Sequence, residues 1–312
     1  MISFGQQRIR PFICACTLLL VLAGSGAFSC AQEKERKDVE YLNERGLIDV
    51  HAHIGHFSGY DLSLENLLTN ISENKIEYAF ISNIDGAAIP GVTANRDEVT
   101  INKETAEVVA KHKQLKPLAW AKPGSEGASA NNIEPFLRDK KFLGIKFHPD
   151  FNSFAANAAV VLPYLRLCEK YRVPAIFHCG RSPRSNAKAI YEVAKQFPNT
   201  PFILYHMGFG SSHEEAIEVA RMAKMKKDAL IYLETAQTEA EDVINAVKQV
   251  GAEQLLFGTD ATYYGRYHYQ HYLPMLRALK QAVSASEFEL ITHGNAVRLF
   301  HLEAGQPSQA SH

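Results

Sequence analysis

The chain has 312 residues, of which 46% are hydrophobic and 21% charged, as in a globular protein with a sizeable core. Its 33 basic and 34 acidic side chains nearly cancel, which argues against a nucleic-acid partner or an acidic membrane surface. The length accommodates either two ordinary domains or one large α/β barrel.

The N-terminal stretch predicts export. Arg8 and Arg10 precede the apolar, small-residue run PFICACTLLLVLAGSGAF, an order typical of a secretory signal over residues 1–29 and too short for a good spanning helix. The AFSC motif ending at Cys30 resembles a bacterial lipobox, in which the cysteine carries acyl chains. We therefore expect a cell-envelope lipoprotein on the periplasmic or surface side. Ordinary cleavage after Ala31 is the alternative.

A repeating pattern follows a charged tether over residues 30–44 and extends over residues 45–303, leaving residues 304–312 as a tail. Amphipathic stretches such as LENLLTNISENK and AEDVINAVKQV separate the apolar runs. Short apolar runs that alternate with helices indicate a parallel sheet buried on both faces. Eight such units over about 250 residues predict an α/β fold, a single (β/α)8 TIM barrel. The eight runs are LIDVHAHI, YAFISNI, KPLAWAK, FLGIKFHP, VPAIFHCG, PFILYHMG, ALIYLETA and LLFGTDAT.

Polar side chains stand at the C-terminal end of every apolar run, where TIM barrels carry their active sites. A hydrophobic core does not need them, and buried polar groups must be hydrogen-bonded, paired or bound to metal. This end of the barrel is therefore the candidate site. In chain order the set is His51, His53, Asn83, Asp85, Lys122, Lys146, His148, His178, His206, Glu234 and Asp260.

Four members of this set suit a metal ion. His51 and His53 share one strand face because side chains alternate with period two. The fifth strand, with His178, faces the first across the barrel, and the eighth, with Asp260, is its neighbour. Three imidazoles and one carboxylate suit zinc or a similar divalent ion with one position open for water. Satisfied core or loop histidines are the alternative, but the ordered set favours the metal.

The motifs LIDVHAHIG, GIKFHPD, IFHCG, YHMG, LLFGTDA and ITHGNAVRLF resemble those of the amidohydrolase superfamily, closest to the branch that includes aminocarboxymuconate-semialdehyde decarboxylase. The resemblance spans residues 45–302 and implies a metal-dependent TIM barrel that uses the four ligands just described. It also implies that His206 acts beside the metal as base or electrophile. In hydrolytic members the carboxylate corresponding to Asp260 also transfers a proton.

The resemblance bears on the number of metal ions. We expect one divalent ion, zinc before manganese, iron or cobalt. Some family members carboxylate a lysine on the fourth strand and bridge two metals, so Lys146 leaves a second ion as the less favoured alternative. Otherwise Lys146 contacts substrate or a neighbouring acid. His148 is expected to contact substrate or support the site, with a purely structural role as the alternative.

The loops suggest the substrate. Arg181 and Arg184 follow the fifth strand and Arg266 lies in the eighth loop, positions that suit a substrate carboxylate, with a solvated basic loop as the alternative. The tyrosines of ATYYGRYHYQHY are expected to enclose a ring or acyl chain, or to pack ordinarily. The expected partner is a small molecule; a homodimer stays open, and a membrane enters only through Cys30.

The favoured activity is hydrolysis of an amide, ester or lactone-type bond, in which metal-activated water attacks a carbonyl. Non-oxidative decarboxylation of an unsaturated or aromatic acid would use the same ligands and is the first alternative. An envelope module that has lost activity is the second, and the intact ligand set argues against it.

Residues beside the site complete the expectations. Asp49 is interpreted as an acceptor for the free N–H of His51 or as part of a buried salt bridge. Glu234 accepts from substrate or only from backbone. Cys168 and Cys179 are predicted to be buried free thiols. His112, His213, His268, His271 and His301 are predicted to be surface or loop residues.

Overall fold

A computed structural model of the protein describes residues 46–138 and 142–302. The predicted signal segment, Cys30 and the tether lie outside the described residues, as does the C-terminal tail. Within the described ranges, no helix combines the length and apolar character needed to cross a membrane.

Eight parallel strands alternate with helices along the chain. Each strand pairs with its successor, although the third is divided into two segments around Leu118. The strands are β1 Leu47–Ile54, β2 Ile76–Asn83, β3 Leu115–Pro117 with Ala119–Ala121, β4 Ile145–Phe147, β5 Ala175–Gly180, β6 Pro201–Phe209, β7 Leu230–Glu234 and β8 Leu255–Leu256.

Backbone hydrogen bonds close the sheet into a barrel. Leu118 N–H donates to Ile81 O at 2.9 Å, so the two segments of β3 behave as one strand. Beyond β8, Val50 N–H donates to Phe257 O at 3.0 Å and His53 N–H donates to Ala261 O at 2.8 Å, which joins the last strand to the first. The predicted (β/α)8 barrel is therefore confirmed.

Helices surround the strands and several begin at a capping side chain. Ser63, Asp97 and Asn186 each accept a hydrogen bond from a backbone N–H three residues ahead, as N-caps do. The α-helices of the described residues are α1 Leu64–Glu73, α2 Glu98–Lys111, α3 Ala130–Arg138, α4 Leu162–Tyr171, α5 Ala187–Ala194, α6 Glu214–Lys226, α7 Ala240–Val250, α8 Leu273–Ala282, α9 Ala285–Glu289 and α10 Asn295–Leu299.

The core has two main parts. The larger lies between the strands and the helices, and it includes Cys168 and Cys179 as buried free thiols, which confirms that prediction. The smaller contains Ile48, Ile176 and other strand side chains, and Phe300 packs against it after α10. The polar strand-end residues lie beyond this second cluster, at the C-terminal end of the barrel.

Candidate metal centre and active site

Three donor atoms converge at the C-terminal ends of β1 and β8. The Nε2 atoms of His51 and His53 lie 3.3 Å apart, and Asp260 Oδ1 lies 3.2 Å from each. Both histidines are buried, with exposures of 1% and 3%, and Asp260 is 7% exposed. The structure thus brings together three of the four residues that the sequence predicts as ligands.

The hydrogen-bond partners of these residues show why the arrangement suits a cation. His53 Nδ1 lies 3.2 Å from Ser82 O and 3.1 Å from Ser82 Oγ; a ring protonated on Nδ1 donates to this carbonyl and keeps a lone pair on Nε2. His51 Nδ1 likewise faces Glu234 Oε2 at 3.2 Å. Asp260 Oδ1 is buried and makes no hydrogen bond. In this tautomer the two Nε2 atoms and Asp260 Oδ1 offer lone pairs to one point, and a divalent ion fits this donor set.

Burial supports the same conclusion. It holds the pKa of His51 and of His178 well below the ordinary value, so both imidazoles are neutral, the form that binds metal. Burial alone would raise the pKa of Asp260, but His53, His206 and Lys146 together outweigh it, so the pKa is lowered and the carboxylate stays ionised.

Asp49 holds the loop that carries Asp260. It accepts from Thr259 N–H at 3.0 Å, from Thr259 Oγ1 at 2.5 Å and from Tyr269 Oη at 2.9 Å. The interpretation of Asp49 as the acceptor for the His51 ring is wrong. Between Asp49 and Ala52 the register on β1 advances by three residues while β2 advances by two, and this bulge breaks the period-two alternation.

Glu234 takes the role expected of Asp49. It is fully buried and accepts from the ring of His51, and from the backbone N–H groups of His206 at 3.0 Å and Ala236 at 2.5 Å. Of the two alternatives open in the sequence, the backbone contacts are the ones observed, with the His51 contact in addition.

His206 stands beside the donor set at the end of β6. Its ring centroid is 4.9 Å from that of His51, and its Nδ1 lies 3.3 Å from Ala236 O. Nδ1 therefore carries the proton and Nε2 is left to accept one. Burial lowers the pKa of His206 to about 4, so the ring is neutral near pH 7. This geometry suits a proton acceptor.

Lys146 places a buried amine beside the donor set. Its Nζ lies 3.5 Å from His51 Nε2 and 3.8 Å from the ring centroid of Tyr205. Burial lowers its pKa to about 7. Since no carboxylate of the described residues forms an ion pair with its amine, Lys146 is available for an anionic group of a substrate.

His178 lies in the same cavity but outside the convergent donor set. Its ring stacks on His148 at 4.0 Å, and His148 in turn stacks on Phe151 at 3.6 Å. His178 Nε2 lies 3.8 Å from Asp150 Oδ2, at the open side of the site. The structure therefore places His178 in the wall of the cavity, outside the donor set of His51, His53 and Asp260.

The cavity has a volume of about 190 Å³, and its lining includes the donor set, Lys146, His148, His178 and His206. Five aromatic rings, called here the aromatic collar, complete most of the wall: Phe57, Tyr60, Phe151, Phe209 and Tyr263. Tyr60 and Phe209 are about half exposed, at 51% and 47%. Apart from Tyr263, these rings were not predicted from the sequence, although the other four also lie in or beside loops after strand ends.

Several residues predicted to approach the substrate lie elsewhere. Arg181 and Arg184 are exposed and neither lines the cavity, while Arg266 pairs with Glu73 on the surface. Lys146 is the only lysine or arginine among the lining residues. His268 is fully buried and lies 2.9 Å from Thr259 Oγ1, so its prediction as a surface or loop residue is correct only in that it belongs to a loop.

Similar proteins share this architecture. A 2,6-dihydroxybenzoate decarboxylase from Rhizobium is 18% identical, with a TM-score of 0.61 over 83% of this chain and 99% of its own. A 5-carboxyvanillate decarboxylase from Sphingomonas paucimobilis is 14% identical, with a TM-score of 0.60 over 83% and 100%. A 4-oxalomesaconate hydratase from Rhodopseudomonas palustris is 16% identical, with a TM-score of 0.58 over 82% and 96%. At these identities the likeness establishes the fold.

A search of the curated proteins finds no significant match. A family model described as amidohydrolase matches residues 48–302, which run from the second residue of β1 to beyond the end of α10. The chain therefore belongs to the amidohydrolase family and is an enzyme of that TIM-barrel superfamily.

Proposed function

We propose that this enzyme is a metal-dependent hydrolase that cleaves an amide, ester or lactone-type bond of a small substrate. The observation that carries the proposal is the convergence of three donor atoms, from His51, His53 and Asp260, beside a neutral His206 in one cavity. A nucleophile, a polarised carbonyl and a proton acceptor are the three requirements of such a hydrolysis.

A divalent ion held by this donor set, zinc first, would polarise the carbonyl and make an attacking water more acidic. His206 Nε2 accepts a proton from the water, because Nδ1 is committed to Ala236 O. Asp260 is the second group able to accept that proton. Either one then delivers it to the leaving atom. Lys146 binds a carboxylate or a developing oxyanion from the opposite side.

The aromatic collar favours a substrate with a flat apolar group. Tyr60 and Tyr263 have ring centroids 4.9 Å apart, and Phe57 lies 5.6 Å from each. Rings at such separations present faces and edges on which a planar group stacks. A cavity of about 190 Å³ limits the substrate to roughly one ring with its substituents.

Non-oxidative decarboxylation is the second candidate. The observation in its favour is Lys146, a buried cation that suits the carboxylate of an unsaturated or aromatic acid. Two of the similar structures are described as decarboxylases. Both reactions would use the same donor set; in the decarboxylation Asp260 or His206 would first take a proton from water and then pass it to the carbon that loses CO₂.

One screen separates the two. Protein loaded with zinc or manganese is incubated with aryl amides, lactones and hydroxybenzoic acids, while released amine, acid and CO₂ are measured. Hydrolysis predicts new carboxylate without CO₂, whereas decarboxylation predicts one CO₂ per substrate consumed. Activity that does not respond to a chelator would contradict the metal-dependent proposal.

We also propose that the enzyme works outside the cytoplasm, held to an envelope membrane by lipid on Cys30. The AFSC motif and the charged tether before the barrel support this placement.

A further inference from the structure

We infer that Glu234 is a positioning residue that sets the state of both His51 and His206, and that position 258 is glycine in order to admit its carboxylate. The inference rests on the proposed metal-dependent function, since it concerns how a ligand and a base are held ready. Glu234 does not line the cavity. It contacts His51 through Nδ1, not through the Nε2 atom that faces the cavity.

Three N–H groups surround this carboxylate. Oε2 accepts from His51 Nδ1 at 3.2 Å and from His206 N at 3.0 Å, while Oε1 accepts from Ala236 N at 2.5 Å. The two backbone N–H groups require acceptors, and a carboxylate offers them on both oxygens, with a further lone pair for the ring of His51. Because Glu234 has no exposed surface, water cannot replace a missing bond.

The His51 contact determines which ring nitrogen faces the metal site. With its proton held on Nδ1 by Glu234, His51 presents the lone pair of Nε2 to His53 and Asp260. Hydrogen bonds of this kind fix the tautomer and the ring orientation of a metal ligand. Lys146 is also 3.5 Å from His51 Nε2. Rotation of the His51 ring would therefore remove a donor from the metal site and also change the surroundings of the Lys146 amine.

The His206 contact stabilises an uncommon backbone conformation. His206 has φ of +66°, in the left-handed region that non-glycine residues seldom adopt. Its N–H bond to Glu234 and its ring bond to Ala236 O hold this conformation from two sides, and Ala236 N–H is itself bonded to Glu234. One carboxylate thus joins the first metal ligand to the proton acceptor.

Gly258 supplies the space for this arrangement. A Cβ at position 258 would lie 2.2 Å from Glu234 Oε1 and 2.7 Å from its Cδ, far inside van der Waals contact. Gly258 does not have a positive φ, so the requirement for glycine is steric. Any larger residue must displace the carboxylate or the loop that leads to Asp260.

The donor atoms of His51, His206 and Glu234 also lie within 4.8 Å of one another, the separation of a metal site. Glu234 already accepts three N–H groups there, whereas Asp260 Oδ1 accepts none. A hydrogen-bond network therefore describes this second group better than a second ion does.

Glu234→Gln tests the inference, because an amide keeps the shape but must oppose at least one N–H with its own NH₂. Zinc and cobalt affinity are measured on chelator-treated protein by competition with a chromogenic chelator. We expect binding to weaken about 10- to 100-fold. We also expect the cobalt absorption spectrum to change, and long-range ¹H–¹⁵N spectra of ¹⁵N-histidine apoprotein to show loss of the Nδ1–H form of His51.

Glu98→Gln is the matched control. Glu98 is equally buried and accepts from Lys122 N–H at 2.6 Å, Ser129 N–H at 2.9 Å and Tyr164 Oη at 2.9 Å, but it contacts no donor of the site. This variant should lose stability while it keeps metal affinity within about threefold. Gly258→Ala leaves the Glu234 side chain chemically unchanged but displaces it. This variant should therefore also weaken metal binding, as Glu234→Gln does.

The outcomes are distinct. Wild-type metal affinity in both Glu234→Gln and Gly258→Ala, with His51→Ala impaired, would overturn the inference and leave the proposed function intact. Loss of one of two bound ions in Glu234→Gln would overturn it in favour of a ligand role. Failure of the wild-type protein to bind a divalent ion would overturn the proposed function and the inference together.

Discussion

His51 and His53 approach each other through their Nε2 atoms, which lie 3.3 Å apart. Ser82 O accepts from the opposite nitrogen of His53, and Glu234 accepts from that of His51. With both rings protonated on Nδ1, two lone pairs face each other across this contact. A cation between them would make the contact stabilising, so we expect metal binding and local stability to be coupled in this barrel.

The first prediction concerns the ligands. His51→Ala, His53→Ala and Asp260→Asn should each weaken divalent-metal affinity by more than about 100-fold, while His178→Ala, which lies outside the convergent set, should cost about tenfold. Metal content after dialysis and chelator competition measure both effects. An equal loss in His178→Ala would identify it as a full ligand, as the sequence predicts. Full metal retention in His51→Ala would contradict the site.

The second prediction concerns His206. Because its Nδ1 bonds a backbone carbonyl and its Nε2 lies beside the donor set, His206→Asn should keep the metal and lose about 10²–10⁴-fold in kcat. His213→Asn, which removes a histidine outside the cavity, is the control. Loss of metal together with activity in His206→Asn would mean that this residue is a ligand.

The third prediction concerns Lys146. Lys146→Met should raise KM about 10- to 100-fold for a carboxylate-bearing substrate, as expected when a charged hydrogen bond is removed, and much less for a neutral analogue. Lys122→Met is the matched control. Lys122 is also a buried lysine after a strand, but its amine bonds Asn95 Oδ1 and Arg96 O outside the cavity. Equal effects on both substrates would exclude a role as carboxylate anchor.

The fourth prediction concerns acid stability. Burial lowers the pKa of His268 to about 3, although Asp260 acts in the opposite direction and His271 adds to the effect. The unfolded chain therefore binds the proton first, near pH 6.5, and the stabilisation is complete above that pH and lost as pH falls. His268 should account for about 2 kcal/mol of the stability lost between pH 7.5 and 5.

Urea unfolding of metal-free protein at several pH values checks this expectation. His268 accepts from Tyr264 N–H at 3.2 Å and its other nitrogen faces Thr259 Oγ1, so the variant must keep some of these bonds. His268→Gln should be less stable than wild type at pH 7.5 and should show a shallower decline towards pH 5. Parallel pH profiles would show that His268 does not titrate on unfolding.

The fifth prediction concerns the anchor. In a bacterial host the wild-type protein should sediment with membranes and carry acyl chains on Cys30. Cys30→Ser should release it or stall its processing. Mass spectrometry of a mature N-terminus at Gln32 without lipid would instead indicate ordinary signal cleavage after Ala31.

The sequence by itself determined the barrel, its eight strands and the end of it that carries the site. Short apolar runs that alternate with amphipathic stretches have few other solutions, and parallel strands bring all their C-terminal ends to one rim. Period-two alternation was likewise enough to place His51 beside His53, and their Nε2 atoms lie 3.3 Å apart.

Only the tertiary structure decided which carboxylate serves which partner. One extra residue in β1 separates Asp49 from the ring of His51, and no local pattern in the strand indicates that bulge. Glu234 reaches His51 from β7 because position 258, across from its carboxylate, is a glycine. This relationship joins two segments of the chain, so neither segment predicts it alone.

The directions of loop side chains also could not be predicted from the sequence. Arg181 and Arg184 follow a strand end as closely as cavity residues do, yet they point to solvent, since a long charged side chain loses hydration on burial unless a partner repays it. Lys146 remains buried because β4 ends inside the barrel and the Tyr205 ring lies beneath its amine. Strand periodicity specifies the direction of a side chain, whereas the direction of a loop side chain depends on packing between segments far apart in the chain.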